Sequence, residues 1–428
     1  MAFGGGIFVL QNKVLPGSYI NFVSADKATA FLGDRGIAAL PLALSWGKSG
    51  EVFLVENAEF IRDSKAIFGY EYTHDALKPI REVFKYAQKV YFYRLNNGAQ
   101  AASGTLCDAK FSGMRGNDIK ISVSANVENT DAWDVKTYLG TELVDFQTVS
   151  DFSGLVDNDF VVWKSGGTLT EQAATPLSGG VNGDSVTGSQ WQDALAALES
   201  VSFNVLGISS DDDAVKALAV AYTKRLRDEM GVKFQTVVYN YAADEKGVIN
   251  VVNSVDLVPW VTGAEAGCAV NKSVTNKVYD GEYTVPVTYT QTQLEKAIKS
   301  GQFIFHRVGE EVRVLSDINS KVTLTLEEGE DFKSNQTIRT LDQIANDIAY
   351  LFNTQYLGVI PNDSAGRTSL WNDIVKHHEE LQAIRAIEGF EPENVTIAQG
   401  NTKKSVVVMD TVQPTNCMEQ LYMTVTVA

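Results

Sequence analysis

The chain has 428 residues, with 36 Lys and Arg against 53 Asp and Glu, so its formal net charge is −17, and 44% of it is apolar. At roughly 100–200 residues per domain this composition points to several globular domains; it argues against bulk disorder, and the acid excess argues against a protein that tracks nucleic-acid phosphates. Three scattered cysteines (Cys107, Cys268, Cys417) suggest neither a disulfide framework nor a zinc site, and no secretion signal or run of roughly 18–20 apolar residues suggests export or membrane insertion.

Gly4-Gly5-Gly6 precede a β-prone run, Ile7-Phe8-Val9-Leu10, and then Pro16-Gly17. Three glycines make a swivel, and a lone apolar strand beyond it has to pair with something else. Residues 21–98 mix strands (Glu51–Val55, Val90–Arg94) with a helix carrying Leu77, Ile80, Val83, Phe84 and Ala87. From 99 to 180 short β-prone runs (Ile119–Ser124, Val135–Tyr138, Leu143–Val149, Phe160–Trp163) alternate with turn residues, as in an inserted β-sandwich or barrel. Residues 181–330 alternate strand and helix: Phe203–Ile208, a helix through Val215, Leu218 and Tyr222, Phe234–Tyr239 and Val248–Val252 predict a parallel layer. Residues 331–412 hold two helices, one through Ile338–Leu351 and one from Ser369 to Ile387, then a hairpin of Asn394–Ala398 with Ser405–Met409. The arm at 413–428 ends in a second apolar strand, Leu421–Val427. The expected fold is α+β multidomain: an α/β layered core domain, an inserted β-sandwich-like module, and extended N-terminal (1–20) and C-terminal β-arms.

Signs of catalysis are few. Gly47-Lys48-Ser49 has Leu42 where a phosphate loop needs glycine, and a strand rather than a helix follows, so it reads as a turn. Asp211-Asp212-Asp213 lacks the calcium-loop spacing and suits a helix cap. His377 and His378 point about 100° apart on a helix, cannot share a metal, and read as a surface pair. No GxSxG elbow occurs, and Trp133 and Trp163 read as core. The expected catalytic, cofactor-binding and metal residues are none. An α/β hydrolase and a glycan- or surface-binding protein stay as alternatives, since triads are defined in space.

Five pieces then fall in a familiar order: Pro16-Gly17-Ser18-Tyr19-Ile20; Leu42–Gly47; Ala109–Ile119 with its Gly113-Met114-Arg115-Gly116-Asn117 turn; Leu177–Gly183 leading to Ala194–Glu199; and Val406–Asp410 with Cys417–Val425. Together they span essentially the whole chain and resemble the contractile tail sheath proteins of phages and R-type bacteriocins. The resemblance implies a structural, non-enzymatic subunit without cofactor, polymerising as stacked, often sixfold, rings around an inner tail tube protein. It implies baseplate and tail terminator proteins as further partners, with no nucleic acid and no membrane insertion. The location implied is a virion tail or bacteriocin particle assembled in the bacterial cytoplasm.

The resemblance further implies that terminal arms donate strands to neighbours. The donors would be Phe3, Gly4, Gly5, Gly6, Ile7, Phe8, Val9 and Leu10 at one end. At the other they would be Leu421, Tyr422, Met423, Thr424, Val425, Thr426 and Val427. The receiving hairpin would use Val395, Thr396, Ile397, Val406, Val407 and Val408. Ser369, Asn372, Lys376 and Glu379 would face the tube.

Overall fold

The computed structural model describes residues 32–96, 98–183 and 185–427. Its first described strand, β1 (Ile37–Leu42), leads to β2 (Val52–Glu56), α1 (Asn57–Phe68), α2 (Lys78–Phe84) and β3 (Lys89–Arg94). A β-rich module follows, with β4 (Cys107–Ala109), β5 (Ile119–Ala125), β6 (Trp133–Leu139), β7 (Glu142–Val149), β8 (Val161–Trp163) and β9 (Gln172–Pro176). The chain then returns through α3 (Gly188–Leu198), β10 (Val205–Ile208), α4 (Asp213–Lys224), β11 (Gln235–Tyr239), β12 (Val248–Val251) and α5 (Val258–Gly267).

Sequence patterning keeps 21–98 and 181–330 as separate segments, yet strands from both build one six-stranded sheet in the order β12-β11-β10-β1-β3-β2. All neighbours run parallel except β2, which is antiparallel to β3. Alternation along each strand sends side chains to opposite faces. Ala38, Leu40, Phe92, Val205 and Ile249 pack with α1, α2 and α5, while Ala39, Leu206, Ile208 and Val238 pack with α3 and α4. A strand covered on both faces has to be apolar throughout, which is why β10 reads Val-Leu-Gly-Ile. The Asp212 carboxylate caps α4 by accepting from the Ala214 amide at 2.8 Å, as the acidic run predicts.

The module is inserted between β3 and α3. Its four-stranded antiparallel sheet, order β7-β6-β5-β9, packs with the two-stranded β4–β8 pair around Ile119, Ile121, Val123, Val135 and Leu139. Trp133 and Trp163 are half-buried against that core. Trp46, from the loop after β1, is fully buried in it, edge-on to Phe111 at 5.3 Å and stacked on Phe160 at 6.3 Å, while its indole N–H donates to Ala66 O at 3.0 Å. Buried Arg94 at the end of β3 donates to Ser112 O at 2.7 Å, and Gly113 (φ 129°) comes so near that a Cβ would lie 2.0 Å from Ser45 O. These contacts bolt the module to the sheet. Trp46→Leu is expected to cost about 2–3 kcal/mol and to split off a lower-temperature module transition in scanning calorimetry; one unchanged transition would contradict the bolt.

Beyond α5 come α6 (Gln291–Lys299), the hairpin β13 (Phe305–Val308) and β14 (Glu311–Val314), and the helices α7 (Asn335–Leu351) and α8 (Ser364–Ala383). Short β15 (Ile387–Glu388), the hairpin β16 (Val395–Gln399) and β17 (Val406–Asp410), and β18 (Gln413–Pro414), paired with β15, close the fold. The predicted second helix stops before Ile387: Arg385 adopts φ 62°, and Ile387 instead begins β15. Leu351, Leu370, Ile374, Leu381 and Val395 form the core of this last unit.

Two buried ionic contacts weld α7 to the rest. Arg227 makes a bidentate pair with Asp342 (2.6 and 2.8 Å), and Arg339 Nη2 donates to Glu265 Oε2 at 2.6 Å and Asp317 Oδ2 at 3.1 Å.

Candidate intersubunit site

β16 and β17 pair only with each other, in the register Val395↔Asp410 to Gln399↔Val406, so each has an outer edge without a strand partner among the described residues. Paired residues share a face. Val395, Ile397, Val406 and Val408 therefore lie on one side, where Val395 is buried under α8 and the Trp371 indole donates to its carbonyl at 2.8 Å. Thr396, Ala398, Val407 and Met409 lie on the other side and are exposed. Val407 and Val408, on opposite faces, stay 50% and 38% accessible, so neither face of this hairpin is fully covered at β17. The turn is braced by Asn362, whose amide donates to Ser405 O at 2.9 Å. Where β17 begins, a groove of about 470 Å³ is lined by Phe352, Tyr356, Leu357, Ile360, Leu370 and Val406, together with Arg367, Lys403 and Lys404.

The C-terminal segment is held to the body further than the sequence suggests. Past β18, Asn416 accepts from Ser334 Oγ at 2.8 Å, and the Cys417 amide donates to Gln336 at 3.0 Å. Glu419 is clamped by the hydroxyls of Thr275 (2.6 Å) and Ser316 (3.0 Å). Beyond it the chain leaves the surface. Leu421, Tyr422, Met423, Val425 and Val427 are 72–91% exposed and, with Thr424 and Thr426, join no ladder. Leu421–Val427, expected as a terminal strand, forms no strand within the subunit; the exposed segment is rooted at Glu419 rather than at residue 413. The residues Phe3–Leu10 lie outside the described residues.

Ser369, Asn372, Lys376 and Glu379 are all exposed along one stripe of α8, while Leu370, Ile374 and Leu381 face inward. His377 and His378 are not the surface pair that the sequence suggests; both are fully buried. Their acceptors, Asp347 and Asp410, come from α7 and β17, and neither partner is visible in local spacing.

Nothing in this geometry favours covalent catalysis. Burial, helped by Asp108, pushes the Cys107 thiol up to about 12, and burial pushes Cys268 up to about 11, opposite to the shift that activates a thiolate. Gly47 sits in a turn at φ 106° and is followed by β2. Among the described residues no group of three or more His, Cys, Asp or Glu could hold a metal, and no helix is long and apolar enough to cross a membrane.

Four family models tile the chain: the tail sheath protein Gp18 domain III N-terminal region over residues 35–95, the phage tail sheath β-sandwich domain over 96–182, the phage tail sheath central domain over 184–320, and the phage tail sheath C-terminal domain over 327–428. The chain belongs to the phage tail sheath family. It is 32% identical to the phage-like element PBSX protein XkdK of Bacillus subtilis, across 99% of both chains. The solved sheath tail protein of Desulfitobacterium hafniense matches at 36% identity and TM-score 0.82, covering 94% of this chain and 98% of that one. The helical sheath of the anti-feeding prophage in its contracted state shares the fold at 11% identity and TM-score 0.59, covering 97% and 99%. The sheath family is structural, not enzymatic, so the hydrolase reading falls away.

Proposed function

We propose that this sheath protein is the repeating subunit of a contractile tail, polymerising as stacked, sixfold rings around an inner tube and contracting to drive that tube through a cell envelope. One observation carries the reading. The same molecule presents an exposed, β-prone apolar segment that joins no ladder, Leu421–Val427, and an open strand edge, β17. A second copy satisfies both. Strand addition supplies backbone hydrogen bonds, while alternate side chains seek pockets. As a donated strand the terminal segment would carry Leu421, Met423, Val425 and Val427 on one face, and the groove beside β17 offers Phe352, Tyr356 and Leu370 to such a face. A donor and an acceptor at different places make a head-to-tail contact, which propagates into a helical array.

The N-terminal donor, Phe3–Leu10, would act in the same way, with Gly4–Gly6 as its swivel. The exposed stripe Ser369, Asn372, Lys376 and Glu379 is the proposed tube contact. Baseplate and terminator proteins would cap the array, in a phage or bacteriocin particle assembled in the bacterial cytoplasm. Contraction would draw on a metastable lattice, the subunits moving largely as rigid bodies while the arms keep them joined. The bolting of the module through Trp46 and of α7 through Arg339 supports that rigidity. Removing residues 1–18 is expected to leave a folded, monodisperse protein that forms no hollow or striated tubes under the electron microscope. Tubes of normal length from that truncation would overturn N-terminal linkage.

A further inference from the structure

Adjacent residues on a helix normally serve separate neighbours, yet His377 and His378 meet each other as well. His377 Nε2 lies 2.9 Å from Asp347 Oδ2 on α7, and His378 Nε2 lies 2.8 Å from Asp410 Oδ2 at the end of β17. Their Nδ1 atoms are 3.3 Å apart, and both rings are wholly buried. Asp347 in turn accepts from the Gly33 amide at 3.2 Å and from Gln343 at 2.9 Å, while Gln343 donates to Gly33 O at 3.2 Å. A Cβ on Gly33 would come within 2.7 Å of Asp347 Oδ1 and would push that carboxylate from its place.

We propose that Gly33, Asp347, His377, His378 and Asp410 form a single hydrogen-bonded relay. It couples the chain leaving the predicted N-terminal arm to the edge strand β17. In the strand-donation scheme this would let a displacement at one linkage be felt at the other, but the relay lies wholly within one subunit and stands or falls without assembly. Each Nε2 faces a carboxylate oxygen, so the two imidazoles join the two acids through their Nδ1 contact. A buried network of this kind is strong only when every member is satisfied.

Hydrogen exchange on the unassembled full-length protein tests the relay. Asp410→Ala removes the acceptor at the β17 end. It is expected to speed exchange about tenfold at residues 406–410. At the far end, the Gly33 amide should exchange at least about twofold faster. Asp410→Asn keeps an oxygen for His378 and is expected to restore both. Faster exchange at 406–410 alone, or an equal rise in the core strand 205–208, would overturn the coupling.

Discussion

Deleting residues 421–428 is expected to leave thermal unfolding unchanged and to abolish tube formation. The first half follows from exposure: Leu421, Tyr422 and Val427 are 86–91% accessible, and the last described anchor is Glu419, so the cut removes little buried surface. The second half follows from what a donated strand contributes. About six backbone hydrogen bonds at roughly 0.5–1.5 kcal/mol each give a gross gain of about 3–9 kcal/mol per junction, before ordering costs are counted. Every tenfold in affinity is about 1.4 kcal/mol, so even the lower figure weakens each contact by about two orders of magnitude. In an array the loss recurs at every subunit. Sedimentation and electron microscopy read the outcome, and sheath tubes of ordinary length from the truncated protein would remove the C-terminal strand from the mechanism. A single Val425→Lys change, which puts a charge on the inward face of the donated strand, is expected to weaken assembly without abolishing it.

The largest effect on folding is expected at Arg339. Its guanidinium is the cation shared by Glu265 and Asp317, all three fully or nearly fully buried, and it also donates to Lys272 O at 2.8 Å. Arg339→Met leaves the buried Asp317 carboxylate without its cation and Glu265 without its donor, and is expected to cost about 3–5 kcal/mol, measured as a lower denaturation midpoint. The cluster also fixes a pH dependence. Burial, then the neighbouring Asp317 charge, pushes the Glu265 carboxyl up to about 8, whereas burial pushes Asp317 up but the Arg339 charge together with hydrogen bonds from Glu265, Asn335 and the Val274 amide holds it below the usual range. Folded Glu265 thus keeps a proton that the unfolded chain releases near the ordinary value of about 4.5. Between those limits the folded state binds more protons, so its stability falls as pH rises from about 4.5 through about 8 and levels off above. Glu265 Oε1 and Asp317 Oδ1, both buried without a hydrogen-bond partner, are where that proton belongs. Glu265→Gln copies the protonated form and is expected to flatten this part of the profile. Equal slopes for wild type and Glu265→Gln in urea titrations between pH 5 and 9 would rule the assignment out.

Much of the architecture is legible along the chain because it is local. Period-two alternation at Ile119, Ile121 and Val123 marks a half-covered strand, the Asp212 carboxylate caps the helix that its position announces, and the apolar run at Leu421–Val427 stands out because nothing beside it could cover it. The family resemblance rests on pieces of the same local kind. Alternation tells a side chain which face to take, but not which distant strand will lie alongside. That β1 pairs with β3 on one side and β10 on the other, so that residues 37–94 and 205–251 share a sheet across an inserted module, is decided by how apolar faces are covered in three dimensions. The same holds for the charged groups. Arg339, Glu265 and Asp317 have no common spacing, His377 and His378 look like surface residues on a helical wheel, and Glu419 looks like part of a free tail. Which of them are buried, paired or clamped depends on charges meeting from separate elements after the chain has packed. The cost of burying a charge is settled by its final neighbours, not by its position in sequence.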